Sequence, residues 1–179
     1  TGKALAESLT TPSCSWKAAR YRSMSTDFVP EGFTPPDGLI AEAFVLEPLG
    51  PEHNKADHAA WMSSIEHIHA SPGFADDFDD DPDPWPRPMT LEQNLSDLEQ
   101  HAQHFRDRVG FTYTVLDPVD RDVIGCVYLY PSRLDGVDVR ARSWVRRTHA
   151  DLDEPLRRAV RAWLDGPDWP FERIDFAAG

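Results

Sequence analysis

Cysteine is nearly missing from this sequence. Cys14 and Cys126 are the two thiols in 179 residues, too few for a four-thiolate metal site and far below the density of a disulfide-stapled scaffold. Two free thiols in a reducing compartment are therefore expected. No apolar run approaches the roughly 18 residues a bilayer-spanning helix needs, and the first residues lack the basic-then-apolar order of a secretory leader. The expectation is a cytoplasmic protein with no membrane contact. Positive charge is also scarce, with 18 Lys plus Arg against 31 Asp plus Glu, a formal net charge of −13. A phosphate backbone or an anionic bilayer repels such a surface, which argues against general nucleic-acid or membrane binding. What is present suffices for a core: 40% hydrophobic and 11% aromatic residues, in a chain the length of one ordinary domain.

The charge is uneven. Residues 1–104 carry 6 basic and 18 acidic groups, whereas residues 105–179 carry 12 and 13. Inside the second part, Arg140, Arg142, Arg146, Arg147, Arg157, Arg158 and Arg161 face only Asp151, Asp153 and Glu154. Such arginines either grip a phosphorylated ligand or form a solvated helix face paired with the neighbouring acids.

Residues 1–41 are rich in Ser, Thr, Pro and Gly and read as an irregular arm lying over a domain of residues 42–179. Phe44–Leu49 reads as a short strand closed by Gly50-Pro51. From Asp57 to about His69, Trp61, Ile65 and Ile68 recur at helical spacing and predict one helix. Ala75–Trp85 packs six aspartates and two prolines into a loop. Calcium ligation fails there, because Pro84 and Thr90 hold the positions that need glycine and glutamate counting from Asp79. A solvated loop is the plain reading, and recruitment of a basic amine or partner the other.

Thr90 then opens a helix, with Glu92 and Gln93 as capping signals and Leu91, Leu95, Leu98, Ala102 and Phe105 along one face. Phe111–Leu116 and Val123–Tyr130 predict a hairpin, and the alternation over Val137–Val145 a third strand. Asp153–Leu164 is a helix with acids and Pro155 in its first turn, and Phe171–Phe176 a last strand. The order gives an α/β (α+β mixed sheet) fold, mostly antiparallel, with one parallel strand-helix-strand crossover and helices on both faces.

Several side chains invite chemistry. Glu66 and His67 supply a carboxylate and an imidazole for deprotonating an amine, although neighbours on a helix point about 100° apart. His101-x-x-His104 is spaced for one helix face, but no fourfold ligand cluster is visible; surface histidines and no metal are expected. Trp61, Tyr113, Tyr128 and Tyr130, with Trp85 and Trp144 nearby, either line an acceptor pocket or pack the core.

Three stretches, "VLEPLGPEH" at Val45–His53, "FTYTVLDPVDRDVIGCVYLYPS" at Phe111–Ser132 and "SWVRRTHADLDEPLRRAVRAWL" at Ser143–Leu164, give the chain an element order that resembles the GNAT N-acetyltransferase superfamily over about Phe44–Phe176. The resemblance implies acyl transfer from acetyl-CoA to a small-molecule amine. It implies a donor cleft at Trp144, Val145, Arg146 and Arg147, an acceptor pocket at Trp61, Tyr113, Tyr128 and Tyr130, and Glu66 with His67 as candidate base.

In that family the loop after the fourth strand has the pattern [R/Q]-x-x-G-x-[G/A], and its N–H groups with the next helix N-terminus cradle the pyrophosphate. Here Ala150, Asp153 and Pro155 stand at those positions, and Asp151, Asp153 and Glu154 bring like charge to the phosphates. Gly179 follows directly on the last strand, so the family's terminal helix with its tyrosine acid, and the strand pair beyond it, are expected to be missing. The alternative is a non-catalytic GNAT-like module, binding a ligand or forming a homodimer, that has lost acetyl-CoA binding. A ligand-binding α/β protein unrelated to that family is the third reading.

Overall fold

The computed structural model describes residues 28–74 and 85–176. Residues 1–27 of the expected arm, with Cys14, and residues 75–84 of the expected acidic loop lie outside the described residues. Strands β1 (Leu39–Ile40), β2 (Val45–Pro48), β3 (Phe111–Leu116), β4 (Val123–Pro131), β5 (Val139–Val145) and β6 (Ile174–Phe176) form one sheet in that spatial order. Neighbours are antiparallel except β5 and β6, the parallel pair. Helices α1 (Asn54–Met62), α2 (Ile65–Ala70) and α3 (Leu91–Asp107) lie between β2 and β3, and α4 (Asp153–Leu164) makes the crossover from β5 to β6.

Both sheet faces are covered, which is why β3 is buried along its whole length. On one face Leu156, Val160 and Leu164 of α4 pack against Phe111, Tyr113, Val127 and Leu129. Each of these α4 side chains is fully buried and contributes about 1.5–3 kcal/mol by leaving water. Phe28 belongs to the same layer, stacked 5.6 Å from Phe111 and 5.2 Å from Phe171. On the other face Trp61, Ile68, Leu98, Cys126 and Trp144 form a second apolar layer. Among the described residues no helix is long and apolar enough to cross a membrane.

The periodicities place most elements where they are found, with α4 running from Asp153 to Leu164 as expected. Thr90 accepts the Gln93 N–H at 3.2 Å and its own N–H donates to Gln93 Oε1 at 2.8 Å, the capping box that starts α3. Four expectations are corrected. The single helix over 57–69 is two, broken at Ser63-Ser64, where Ser63 Oγ donates back to the Ala60 carbonyl at 2.8 Å; hydroxyls compete with the helix for its own carbonyls. Leu39–Ile40, counted in the irregular arm, pairs with β2 as an edge strand. Trp85, counted in the acidic loop, packs 6.0 Å from Trp61 and 6.2 Å from Trp144. Trp144, a donor-cleft residue by the resemblance, is fully buried because the α1–α3 layer covers that side of β5 as well.

One irregularity shapes the functional end. Val115 pairs with Gly125 and Leu116 with Val123, so Ile124 is an extra residue in β4, a β-bulge. A Cβ on Gly125 would lie 2.3 Å from the Trp144 carbonyl oxygen, so β4 and β5 approach here only because this residue has no side chain.

Candidate functional site

The site to test is the turn from β5 into α4. β6 pairs with Val139, Arg140 and Ala141 of β5. Over Gly125–Tyr128, β4 pairs with the rest of β5, Arg142–Val145; among the described residues no strand pairs with the opposite edge of that stretch. The chain then runs through a 3-10 turn, Arg147–Leu152, into α4.

The polar groups of this turn are bonded within the chain. Arg146 N–H donates to the Ile124 carbonyl of the bulge at 2.7 Å, Arg147 N–H to Ser64 Oγ at 3.1 Å, and His149 N–H to the Arg146 carbonyl at 2.7 Å. Asp153 meets His67 of α2, whose Nε2 lies 2.8 Å from Asp153 Oδ2, a close contact without hydrogen-bond alignment. Burial pushes the Asp153 carboxyl up, while His67, Arg157 and the Val145 N–H pull it back toward ionisation.

Of the sequence-derived donor residues, Trp144 is in the core, its indole N–H donating to Tyr128 Oη at 3.2 Å. Val145 is buried, Arg146 half-buried and Arg147 exposed. Glu66 is exposed and His67 half-buried on α2, so the two do not converge; His67 serves Asp153 instead. Arg157 and Arg158 pair with Glu154 at 3.2 and 3.7 Å, and Arg161 with Asp165 at 2.9 Å. They line a shallow cleft of about 430 Å³ with Ala162 and Phe176.

The expected aromatic pocket is divided by the sheet. Tyr113 pairs with Val127 in register and shares its face; its hydroxyl donates to the Pro36 carbonyl at 2.8 Å. Tyr128 pairs with Thr112 and lies on the other face, packed against the layer of Trp61 and Trp144. Four side chains therefore do not frame one pocket, because successive strand residues alternate in direction. Trp61 is buried, its indole N–H donating to Asn94 Oδ1 at 3.0 Å. Tyr130 Oη lies 2.8 Å from His101 Nδ1 and 3.0 Å from His104 Nδ1, and Thr112 Oγ1 lies 3.0 Å from His101 Nδ1. The two histidines, read as surface groups, are half-buried partners of that hydroxyl.

The residue the periodicity undervalued is Asp57. It is 4% exposed on α1, where Asn94 Nδ2 of α3 donates to its Oδ2 at 3.0 Å. Burial pushes its carboxyl up to about 6, against the pull of Asn94, His53, His58 and Trp61. The signal was available: Asp57 stands four residues before Trp61, on the same helix face.

No family model and no curated protein matches the chain, but solved structures do. Ribosomal-protein-S5-alanine acetyltransferase from Vibrio fischeri aligns with a TM-score of 0.53 and 16% identity, over 72% of this chain and 65% of that one. A protein assigned to the GNAT-family acetyltransferases from Bordetella pertussis aligns with a TM-score of 0.52 and 16% identity, over 78% and 77%. Microcin C7 self-immunity acetyltransferase MccE, solved with acetyl-CoA and AMP, aligns with a TM-score of 0.53 and 10% identity, over 78% and 73%. The chain thus spans just under two thirds of the length of the Vibrio fischeri enzyme. A mixed sheet with one parallel pair, a crossover helix and helices on both faces defines the class as α/β. Within that class the chain has the GNAT fold, the fold of these N-acetyltransferases.

In a GNAT fold the β5–α4 turn is where main-chain donors would meet the pyrophosphate of acetyl-CoA. The residues present do not fit that group in that manner. The N–H groups of Arg146, Arg147 and His149 are bonded to internal acceptors, no glycine lets the backbone approach a phosphate, and the Asp153 carboxylate stands at the head of α4.

Proposed function

We propose that this chain is a GNAT-fold ligand-binding module that does not capture acetyl-CoA through its β5–α4 turn. The observation that carries the reading is Asp153, whose carboxylate stands on the first residue of α4, 2.8 Å from His67 Nε2, in the turn whose Arg146, Arg147 and His149 N–H groups are already bonded. A pyrophosphate brought there would meet like charge and would have to break main-chain bonds already made. Calorimetric titration with acetyl-CoA and with free CoA tests this: no saturable heat is expected at submillimolar ligand, and saturable heat overturns it.

A second reading, acyl transfer from an acyl-CoA to a small-molecule amine, is favoured by Arg146 and Arg147. Unlike Arg157, Arg158 and Arg161, these two have no ion-pair partner among the described residues. Guanidinium forks suit phosphate oxygens without needing the loop N–H groups. If the titration shows binding, Arg146→Ala and Arg147→Ala each weaken it about tenfold under this reading, the loss of one charge-assisted bond.

A further inference from the structure

Three elements bring four donor atoms together on the α1–α3 side of the sheet. His101 and His104, three residues apart on α3, share one face of that helix. Both turn Nδ1 toward the Tyr130 hydroxyl of β4, at 2.8 and 3.0 Å. Thr112 of β3 adds its Oγ1, 3.0 Å from His101 Nδ1 and 3.5 Å from Tyr130 Oη. Tyr130 and Thr112 are buried and the two imidazoles half-buried, so the cluster has a fixed floor and a rim that solvent reaches. Gly110 helps fix that floor, since a Cβ there would run into the Tyr130 ring.

As a web of hydrogen bonds the cluster leaves one contact short. A ring nitrogen carries either one proton or one lone pair, yet His101 Nδ1 meets two hydroxyls, at 2.8 and 3.0 Å. A single cation can serve every donor at once. Ligands about 2.0 Å from a tetrahedral Zn²⁺ lie about 3.3 Å apart. The separations here run from 2.8 to 3.5 Å. Imidazole nitrogens suit zinc, whereas Ca²⁺ and Mg²⁺ call for oxygen ligands. Among the described residues no group of three His, Cys, Asp or Glu could hold a metal. This set reaches four donors because a phenol and a hydroxyl join the histidines, and the His101-x-x-His104 spacing alone does not disclose them.

We infer that His101, His104 and Tyr130, with Thr112 as a weak fourth donor, form a Zn²⁺ site that ties α3 to the β3–β4 hairpin. The site is independent of whether the chain binds CoA. Binding exchanges a proton for the ion: the Tyr130 O–H bond breaks, the phenolate oxygen bonds to zinc, and the proton leaves to solvent. At about pH 8 ordinary imidazoles are neutral and phenols still protonated, so a proton released on binding marks Tyr130.

Calorimetric titration of the metal-stripped chain with Zn²⁺ at about pH 8, with proton release followed in parallel, tests this. The native chain is expected to bind one ion with micromolar or tighter affinity and to release the phenol proton. Tyr130→Phe keeps the ring that packs against Gly110, and should bind at least tenfold more weakly without that proton. His104→Ala should also weaken binding at least tenfold, and His104→Gln replaces it if the alanine variant does not fold. His69→Ala, on α2 and outside the cluster, should leave the affinity unchanged. No saturable binding at submillimolar Zn²⁺ overturns the inference. So does a loss of less than tenfold in either cluster variant, or binding abolished by His69→Ala.

Discussion

Asp57 and Asp153 are both carboxylates withdrawn from water, one under helices α1 and α3 and the other where β5 turns into α4. Their surroundings differ in kind. Asp57 is held by a neutral amide, Asn94 Nδ2 at 3.0 Å, inside a network in which Asn94 also accepts the Trp61 indole N–H and donates to Asn54 Oδ1 at 3.0 Å. Asp153 has an imidazole at 2.8 Å and its own helix dipole. The first carboxylate stitches two helices together and keeps its proton easily, being pushed up to about 6. The second stands at the head of α4, where it adds negative charge to the β5–α4 turn. Burial alone therefore does not mark a carboxylate as functional; the partners differ, a neutral amide shared between helices in one case and an imidazole at a helix head in the other.

The hardest blow to that contrast falls on Asn94. Asn94→Ala leaves the Asp57 carboxylate and the Trp61 indole N–H without their partner in a buried site, and urea unfolding at neutral pH is expected to show a loss of roughly 3–5 kcal/mol. A loss under about 1 kcal/mol would mean that Asp57 does not depend on a neutral amide, and the comparison fails on that side.

Next in size is the pH dependence. The Asp57 carboxyl rises from its usual 3.8 to about 6 on folding, so the folded state holds this proton more tightly than the unfolded one. The linked stability is fully present below about pH 3.8 and is lost as the pH rises through about 6, up to about 2–3 kcal/mol for two units of difference. Asp57→Asn is expected to remove this part of the slope and to be at least as stable as the native chain at neutral pH. Parallel stability curves for the two proteins between acid and neutral pH would show that Asp57 does not titrate on folding.

Most of the fold was legible because it is written in periods. The alternation over Val137–Val145, the β-prone pair around Asp117–Asp120 and the apolar stripe Leu156, Ala159, Val160 and Trp163 each name an element and a face. The helix break was not legible, since spacing carries no information on whether Ser63 will bond its own backbone. At the site, the absence of glycine and the run of acids at Asp151–Glu154 could be read directly. The use made of Asp153 could not, because His67 comes from a helix far away in sequence and reaches it only through the tertiary fold. Tyr113 was misgrouped with Tyr128 for a similar reason: a one-residue difference in register decides the face, and only the pairing of Tyr113 with Val127 fixes it.

The smallest effect is the one that separates the two regions most cleanly. Ser64 Oγ, almost fully buried, accepts the Arg147 N–H at 3.1 Å and ties the α1–α2 break to the β5–α4 turn. Ser64→Ala is expected to cost about 1 kcal/mol, with the same loss at acid and neutral pH, since Asp57 does not take part. Amide exchange should quicken at Arg147 and leave Asn94 unchanged. In the double variant Ser64→Ala with Asn94→Ala, the two losses should add to within about 0.5 kcal/mol if the regions are independent. A larger coupling would mean that α1, which carries Asp57 and leads directly into the Ser63-Ser64 break, transmits strain from one carboxylate to the other.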